Sequence, residues 1–340
     1  MRKLILSMAL AIVSTGAYAQ GTPVADCTPT ANKPEIGTTY TYQVNIGGGF
    51  NGNGKYHWYV TQDKNLIAGT KIPQTNDFFG VEATGSNYDN TNGTNGLQLR
   101  WKPDALSNGN PFYLVIKYTE TKDGCDATNI KAMSIKPLNN FKLNIIPVKN
   151  QAGEAFTSTA QVCSADITSA EILDNGKVKY EYGKTTLYYK VSMTGYSGNW
   201  KPTITLPALQ GVTGTDTEFI GRKYESIKWN GGTSTNFEDF SAFTPNGNTQ
   251  NLTATNATNK TEFVLEIVIN NGTYEGLANE SVTVFTKGEM QLANGNAGAR
   301  DVADDCTEIT NDNNNRNANQ VILARPTISA QSGEFIIQIQ

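Results

Sequence analysis

The side chains suited to chemistry are few: one histidine, four cysteines and scattered carboxylates. His57 lies between Tyr56 and Trp58 in an alternating segment, so it points away from the face that Trp58 occupies. As a general base it would need a nucleophile and an orienting carboxylate, and the neighbouring sequence supplies neither. The expectation is a solvent-facing strand histidine and no catalytic residue. One histidine leaves no pair for a zinc site, and no two cysteines stand at C-x-x-C spacing. Carboxylate pairs of the kind glycoside hydrolysis needs do not stand out from their context. The sequence reads as that of a binding protein, not an enzyme.

Two groups of residues suit binding. Asp301, Asp304 and Asp305 stand together just before Cys306, and clustered hard oxygen donors suit calcium, although no EF-hand pattern is met. Calcium is the one cofactor these residues suggest. Tyr59, Tyr113 and Tyr188 fall on the strand faces opposite the main apolar sets. Exposed there, their rings would stack on sugars as those of carbohydrate-binding modules do. Packed there, they would form cross-strand pairs or line an interface between sheets.

The compartment is legible at the N-terminus. Arg2 and Lys3 precede the apolar run Leu4 to Val13, and Ala17-Tyr18-Ala19 gives a small-x-small cleavage site before Gln20. Residues 1–19 therefore read as a signal peptide, and no later stretch approaches the ~20 apolar residues of a membrane span. The sequence carries 27 basic and 31 acidic residues, and the signal peptide holds Arg2 and Lys3. An acidic mature chain lacks the basic face that nucleic acid requires. Export makes Cys27, Cys125, Cys163 and Cys306 candidates for disulfides. Two domains of similar span would enclose Cys27 with Cys125 and Cys163 with Cys306. The alternative bridge joins Cys125 to Cys163 across the domain junction.

The elements that must position these residues are strands. Tyr40, Tyr42, Val44 and Ile46 alternate with polar residues, as do Tyr56, Trp58 and Val60, then Leu97, Leu99 and Trp101, then Phe112, Leu114, Ile116 and Tyr118. Asp123-Gly124 predicts a tight hairpin. After a boundary at Pro137 to Asn140 the pattern resumes in Leu187 to Met193, Phe263 to Ile269, and Val282 and Val284. Asp166 to Leu173 is the best candidate for a short helix. Thr84 to Gly96 and Asp312 to Gln320 are polar stretches expected to be surface loops. The fold class is all-β: two tandem immunoglobulin-like β-sandwich domains over 20–137 and 138–340, after the signal peptide.

Several segments carry a family resemblance. Tyr40-Thr41-Tyr42-Gln43-Val44, Tyr56-His57-Trp58-Tyr59-Val60, Leu97 to Trp101, Phe112 to Ile116 and Gly124 to Thr128 resemble the strands of PKD-like, immunoglobulin-like domains in Bacteroidota surface proteins. Leu187 to Val191, Asn271 to Gly276 and Ala324-Arg325-Pro326-Thr327 look similar to their companion domains. Such domains occur in adhesins and in components of gliding motility and type IX secretion. The resemblance implies a non-enzymatic exported protein, in the periplasm or on the cell surface. Its partner would be an envelope protein, such as a larger adhesin or a second copy of the chain. The alternative is a carbohydrate-binding module-like surface protein with a glycan ligand. The chain departs from typical secretion cargo by ending in Glu334 to Gln340, without a basic sorting segment.

That last segment has a pattern of its own. Phe335, Ile337 and Ile339 share one face and Ile336, Gln338 and Gln340 the other, directly after Ser332-Gly333. It reads as a half-buried strand that either closes the second domain or is donated to the edge of a partner's sheet.

Overall fold

The computed structural model describes residues 27–82, 87–212, 221–232, 236–307, 309 and 316–328. The expected signal peptide and the strand Phe335, Ile337 and Ile339 lie outside the described residues. What is described is all-β, in sandwich-like pairs of sheets.

Residues up to Ile135 supply two three-stranded sheets. Strands β1 (Thr39–Gln43), β2 (Lys55–Thr61), β3 (Phe79–Val81), β4 (Gly96–Trp101), β5 (Phe112–Lys122) and β6 (Cys125–Ile135) pair in the orders β1-β4-β3 and β2-β5-β6. The alternation read from the sequence puts Leu97, Leu99 and Trp101 wholly inside. Trp101 joins the two sheets, its ring 5.0 Å from Phe112. The hairpin between β5 and β6 turns at Asp123 and Gly124, with φ of 52° and 80°. That left-handed backbone is what an Asp-Gly turn supplies.

From Lys142 on, the strands build two larger sheets. Strands β7 (Lys142–Val148), β8 (Gln161–Val162), β9 (Ile167–Ile172), β10 (Val178–Thr194), β11 (Trp200–Leu206) and β12 (Lys223–Trp229) come first. They are followed by β13 (Glu238–Asp239), β14 (Gln250–Thr253), β15 (Glu262–Gly272), β16 (Glu280–Gln291), β17 (Ala297–Arg300) and β18 (Asn317–Ile322). One sheet runs β13-β12-β15-β10-β7 with β9 added on β10; the other runs β14-β11-β16-β18-β8 with β17 added on β16. Leu187, Tyr189 and Val191 of β10 and Leu265, Ile267 and Ile269 of β15 are fully buried. Each of the aliphatic side chains among them contributes roughly 1.5–3 kcal/mol by leaving water. The Tyr189 hydroxyl crosses between the sheets and donates to the Val282 carbonyl at 2.8 Å.

Two segments differ in kind from the pattern of the sequence, and a third, which is a loop as expected, differs in being partly buried. Asp166 to Leu173 is not helical, because Ile167–Ile172 is β9, paired with Val178 to Tyr182 of β10. The Asn175-Gly176 turn, with Gly176 at φ 75°, folds the chain back before a helix could form. The polar stretch at Asp312 to Gln320 ends in strand β18, where Gln320 is fully buried and donates to the Tyr188 carbonyl. In the stretch Thr84 to Gly96, Asn87 and Tyr88 are buried, and the Tyr88 hydroxyl donates to the Ile72 carbonyl at 2.5 Å.

The cysteine pairing is also different. Cys27 is bonded to Cys306, while Cys125 and Cys163 are free and exposed. The reason is the path of the N-terminal segment, which runs along the junction instead of along the first sandwich. The Lys136 amide donates to Asn32 and the Leu138 amide to Pro34, at 2.9 and 2.8 Å. The Val302 amide donates to the Phe141 carbonyl at 2.8 Å and brings the Asp301–Cys306 loop to the same junction. Cys125 sits at the opposite end of β6, ten residues and roughly 33 Å of strand away. A bridge needs α-carbons within about 7 Å.

The contacts between the two sandwiches gather at one end of each. The Ser197 hydroxyl donates to the Gly37 carbonyl at 2.6 Å, and the Asn140 amide to Glu35 at 2.7 Å. The Ala293 amide donates to the Asp104 carboxylate at 3.0 Å. The sandwiches therefore meet end to end.

Candidate functional site

The first sandwich is incomplete on one side, for a reason visible in its sequence. After Gln43 the chain reaches Gly47-Gly48-Gly49, and Gly48 and Gly49 adopt φ of 71° and 82°. Strand β1 ends at Gln43, and the left-handed glycines keep a strand from resuming beyond Ile46. Its partner wall does not stop. Strand β6 runs eleven residues, and its register opposes Met133 to Leu114, Lys131 to Ile116, Asn129 to Tyr118 and Ala127 to Glu120. Residues directly opposite share a face. Ala127, Asn129 and Lys131 thus point to the interior of the sandwich and are nevertheless exposed.

The outcome is an open groove between β1 and β6. Two depressions of 460 and 310 Å³ share Val44, Ile116 and Lys131 and so run into one another. The floor is apolar, made by Trp58, Leu114, Ile116 and Tyr118. The far end is pinned by Glu120, whose carboxylate accepts the Tyr118 hydroxyl and the amides of Asn51 and Gly52. The hydroxyl, and after it the two amides, hold the Glu120 carboxyl below its ordinary value. Among the described residues β1 pairs only with β4, and β6 as a strand only with β5. Two free backbone edges therefore flank an apolar floor. Free strand edges beside an apolar floor are the geometry that strand addition uses, in which backbone hydrogen bonds give affinity and alternate side chains specificity.

The residues singled out in the sequence are not brought together. Tyr59 is buried, not exposed. Its hydroxyl donates to the Leu66 carbonyl and its ring lies under the Lys71 ammonium, because the loop after β2 folds over this outer face. Tyr113 is half-buried nearby, and Tyr188 is half-buried on the second sandwich, so the three rings form no common platform.

His57 has a partner that local sequence could not show. Its Nε2 is 2.8 Å from the Asp89 carboxylate, 32 positions away, and Lys71 donates to the same oxygen at 2.6 Å. The histidine side chain is 14 % exposed, so it is mostly covered instead of facing solvent. Burial pushes the Asp89 carboxyl up, but the hydrogen bonds from Lys71 and His57 outweigh it and hold the group below its ordinary value. The cluster fastens the loop at Asp89, a non-glycine residue at φ 47°, onto the sheet.

The three aspartates expected to gather around calcium diverge. Asp301 is fully buried and accepts the Gly288 amide at 2.9 Å. The Asp304 side chain is 92 % exposed. Asp305 turns back onto Thr307, accepting its amide and hydroxyl at 3.1 and 2.6 Å. Among the described residues no group of three histidines, cysteines or acids could hold a metal ion. All three lie in one irregular loop, where no strand alternation fixes the direction of successive side chains.

Burial pushes the Asp301 carboxyl up from its ordinary 3.8, and the Gly288 amide and the charges of Arg316 and Arg300 do not cancel that effect. A raised carboxyl penalises the folded state once it ionises. Its stabilising share is complete below 3.8 and is lost as pH rises through the raised value. Asp301→Asn is therefore expected to melt at a higher temperature than the parent chain at pH 7. The gap should close as pH falls toward 3.8. Thermal melts over that range check it, and a variant less stable at pH 7 would refute it.

A second exposed surface lies at the opposite pole. Strand β9 and the first residues of β10 project beyond the sheet, with Ile167, Ile172, Val178 and Tyr180 all exposed. Arg325 anchors the base of this ribbon, its guanidinium 4.1 Å from the Tyr182 ring and its amide donating to the Gly276 carbonyl.

No family model matches the sequence, and no curated protein does. Among solved structures the chain is similar to BcpA, the major pilin subunit of Bacillus cereus. The identity is 9 %, the TM-score 0.29, and 80 % of this chain and 64 % of that one are covered. It is similar to the collagen adhesin CNA of S. aureus at 11 % identity and a TM-score of 0.23, covering 87 % of this chain and 91 % of the adhesin. It is also similar to AvmM, which catalyses macrocyclization in alchivemycin A biosynthesis, at 10 % identity and a TM-score of 0.28, covering 62 % and 97 %. Pilin, adhesin and cyclase stand at nearly the same distance, so likeness at this level does not choose among their roles.

Proposed function

We propose that this chain is an exported, non-enzymatic binding protein of the cell envelope that acts through protein–protein contacts. The groove between β1 and β6 takes an extended segment of its partner. The observation that carries this reading is the uncovered inner face of β6, flanked by two free strand edges. Export is supported by the N-terminal pattern Arg2-Lys3, Leu4 to Val13, Ala17-Tyr18-Ala19 and by the Cys27–Cys306 bridge. The resemblance to PKD-like domains favours a role beside gliding or type IX secretion components, with a larger adhesin or a second copy as partner. His57 and Asp89 serve the fold, because their contacts hold a loop and present no nucleophile.

Affinity purification from the native envelope tests this. The parent chain and His57→Gln should retain the same partner. Ala127→Trp, at an exposed position on the groove wall, should lose it. Partner capture that survives Ala127→Trp, or hydrolytic activity that disappears in His57→Gln, would overturn the reading.

A further inference from the structure

We infer that the occupant of the β1–β6 groove is the segment Glu334 to Gln340 of a second copy of this chain, so that copies join head to tail. The inference rests on the groove being a strand-binding site and adds the identity of the strand.

The first support is pattern. A groove with an apolar floor and two free edges needs an extended chain that offers an apolar side chain at every second residue. Phe335, Ile337 and Ile339 provide that series, with Ile336, Gln338 and Gln340 on the outer side. The uncovered wall from Ala127 to Met133 is as long as the segment from Glu334 to Gln340. The other strongly alternating series, such as those of β10, β15 and β16, are already consumed inside sheets.

The second support is position. Strand β10 runs toward the junction, with Thr194 beside Lys142 and Tyr182 near its distant end. Twelve residues of strand between them span roughly 40 Å. Arg325 stacks on Tyr182, so the chain leaves the second sandwich at the pole opposite the junction. The groove lies beyond the junction, on the other sandwich. From Arg325 to Phe335 is ten residues, roughly 33 Å when fully extended. A chain therefore falls short of its own groove, whereas the groove of a neighbour stacked on its far pole is within reach. A contact between two different surfaces does not close on itself and generates open-ended rows.

The experiment uses the full mature chain in sedimentation velocity across the micromolar range. Two variants separate strand from groove: Ile337→Asp with Ile339→Asp spoils the donated segment, and Ala127→Trp fills the acceptor. The parent chain should form a concentration-dependent ladder of oligomers. Each variant alone should be monomeric, and an equimolar mixture should give dimers and nothing larger, since it holds one intact strand and one intact groove per pair. A fluorescent peptide of residues 331–340 should bind the strand-deficient variant one to one, and Ala127→Trp should weaken it about tenfold or more. A monomeric parent chain, a variant that still assembles alone, or a mixture that stays monomeric would each overturn the inference. So would a lowered melting temperature of the strand-deficient variant beside a monomeric parent, which would mean that the segment closes its own sandwich. If assembly fails while Ala127→Trp still abolishes capture of an envelope partner, the binding role stands and this inference alone falls.

Discussion

Glu280→Ala is expected to destabilise the chain by about 3–5 kcal/mol, the cost of stranding a buried guanidinium. Arg222 and Glu280 face one another with side chains only 1 % and 4 % exposed. Nη1 of Arg222 donates to Oε1 of Glu280 at 3.2 Å, Nη2 donates to Oε2, and the Gln210 amide donates to Oε1 at 2.7 Å. The guanidinium also lies 3.9 Å from the Tyr274 ring centroid. Removing the carboxylate leaves all of this around an uncompensated charge. Removing both partners does not, because a well-packed apolar pair avoids desolvating either ion. The double variant Arg222→Met with Glu280→Leu should therefore recover most of the loss. Urea denaturation of the parent, both single variants and the double variant checks the pair. A single variant within 1 kcal/mol of the parent would show that the pair is not buried in solution.

Removing the Cys27–Cys306 bridge should cost about 2–5 kcal/mol, through the unfolded-chain freedom that the bridge removes. The sequence separation is 279 residues, so the closed loop takes in both sandwiches and their junction. Cys27→Ser with Cys306→Ser, or the parent chain under reductant, should melt at a lower temperature. Cys125→Ser with Cys163→Ser should melt as the parent does, since both thiols are exposed and unbonded. Alkylation of the native, unreduced chain should label those two cysteines and leave Cys27 and Cys306 unlabelled. A Cys125–Cys163 peptide in a non-reducing map would contradict the pairing.

Local pattern was enough for much of the architecture. In a strand, successive side chains alternate between faces, so residues two apart report the same environment. Leu97, Leu99 and Trp101 could be assigned to the core from three letters and their polar neighbours, and all three are fully buried. Asp123-Gly124 marked its hairpin because the turn demands left-handed backbone at two successive residues. The same reasoning failed where periodicity was too brief to choose, as at Ile167–Ile172, whose strand identity comes from the partner β10.

The site was only half legible. The alternation of Leu114, Ile116 and Tyr118 and the three glycines after Ile46 are plain in the sequence, and so is the apolar series Phe335, Ile337 and Ile339. That β6 outruns β1, leaving Ala127, Asn129 and Lys131 uncovered, depends on which strands face each other across the sandwich, and sequence spacing does not carry that. The burial of Tyr59 belongs to the same class: a strand residue on the outer face is exposed unless a distant loop lies over it.

The sequence by itself determined the strongly alternating strands, such as Leu97 to Trp101 and Phe112 to Tyr118, their inner faces and the turn at Asp123-Gly124. Each of these follows from residues a few positions apart. Only the tertiary structure decided that Cys27 meets Cys306, that His57 meets Asp89, that Arg222 meets Glu280 and that a strand-sized groove stays open. Those pairs are separated by 279, 32 and 58 positions. Side chains so far apart in sequence meet through the order in which strands stack and the way two sandwiches join, and many stacking orders are compatible with the same alternating pattern.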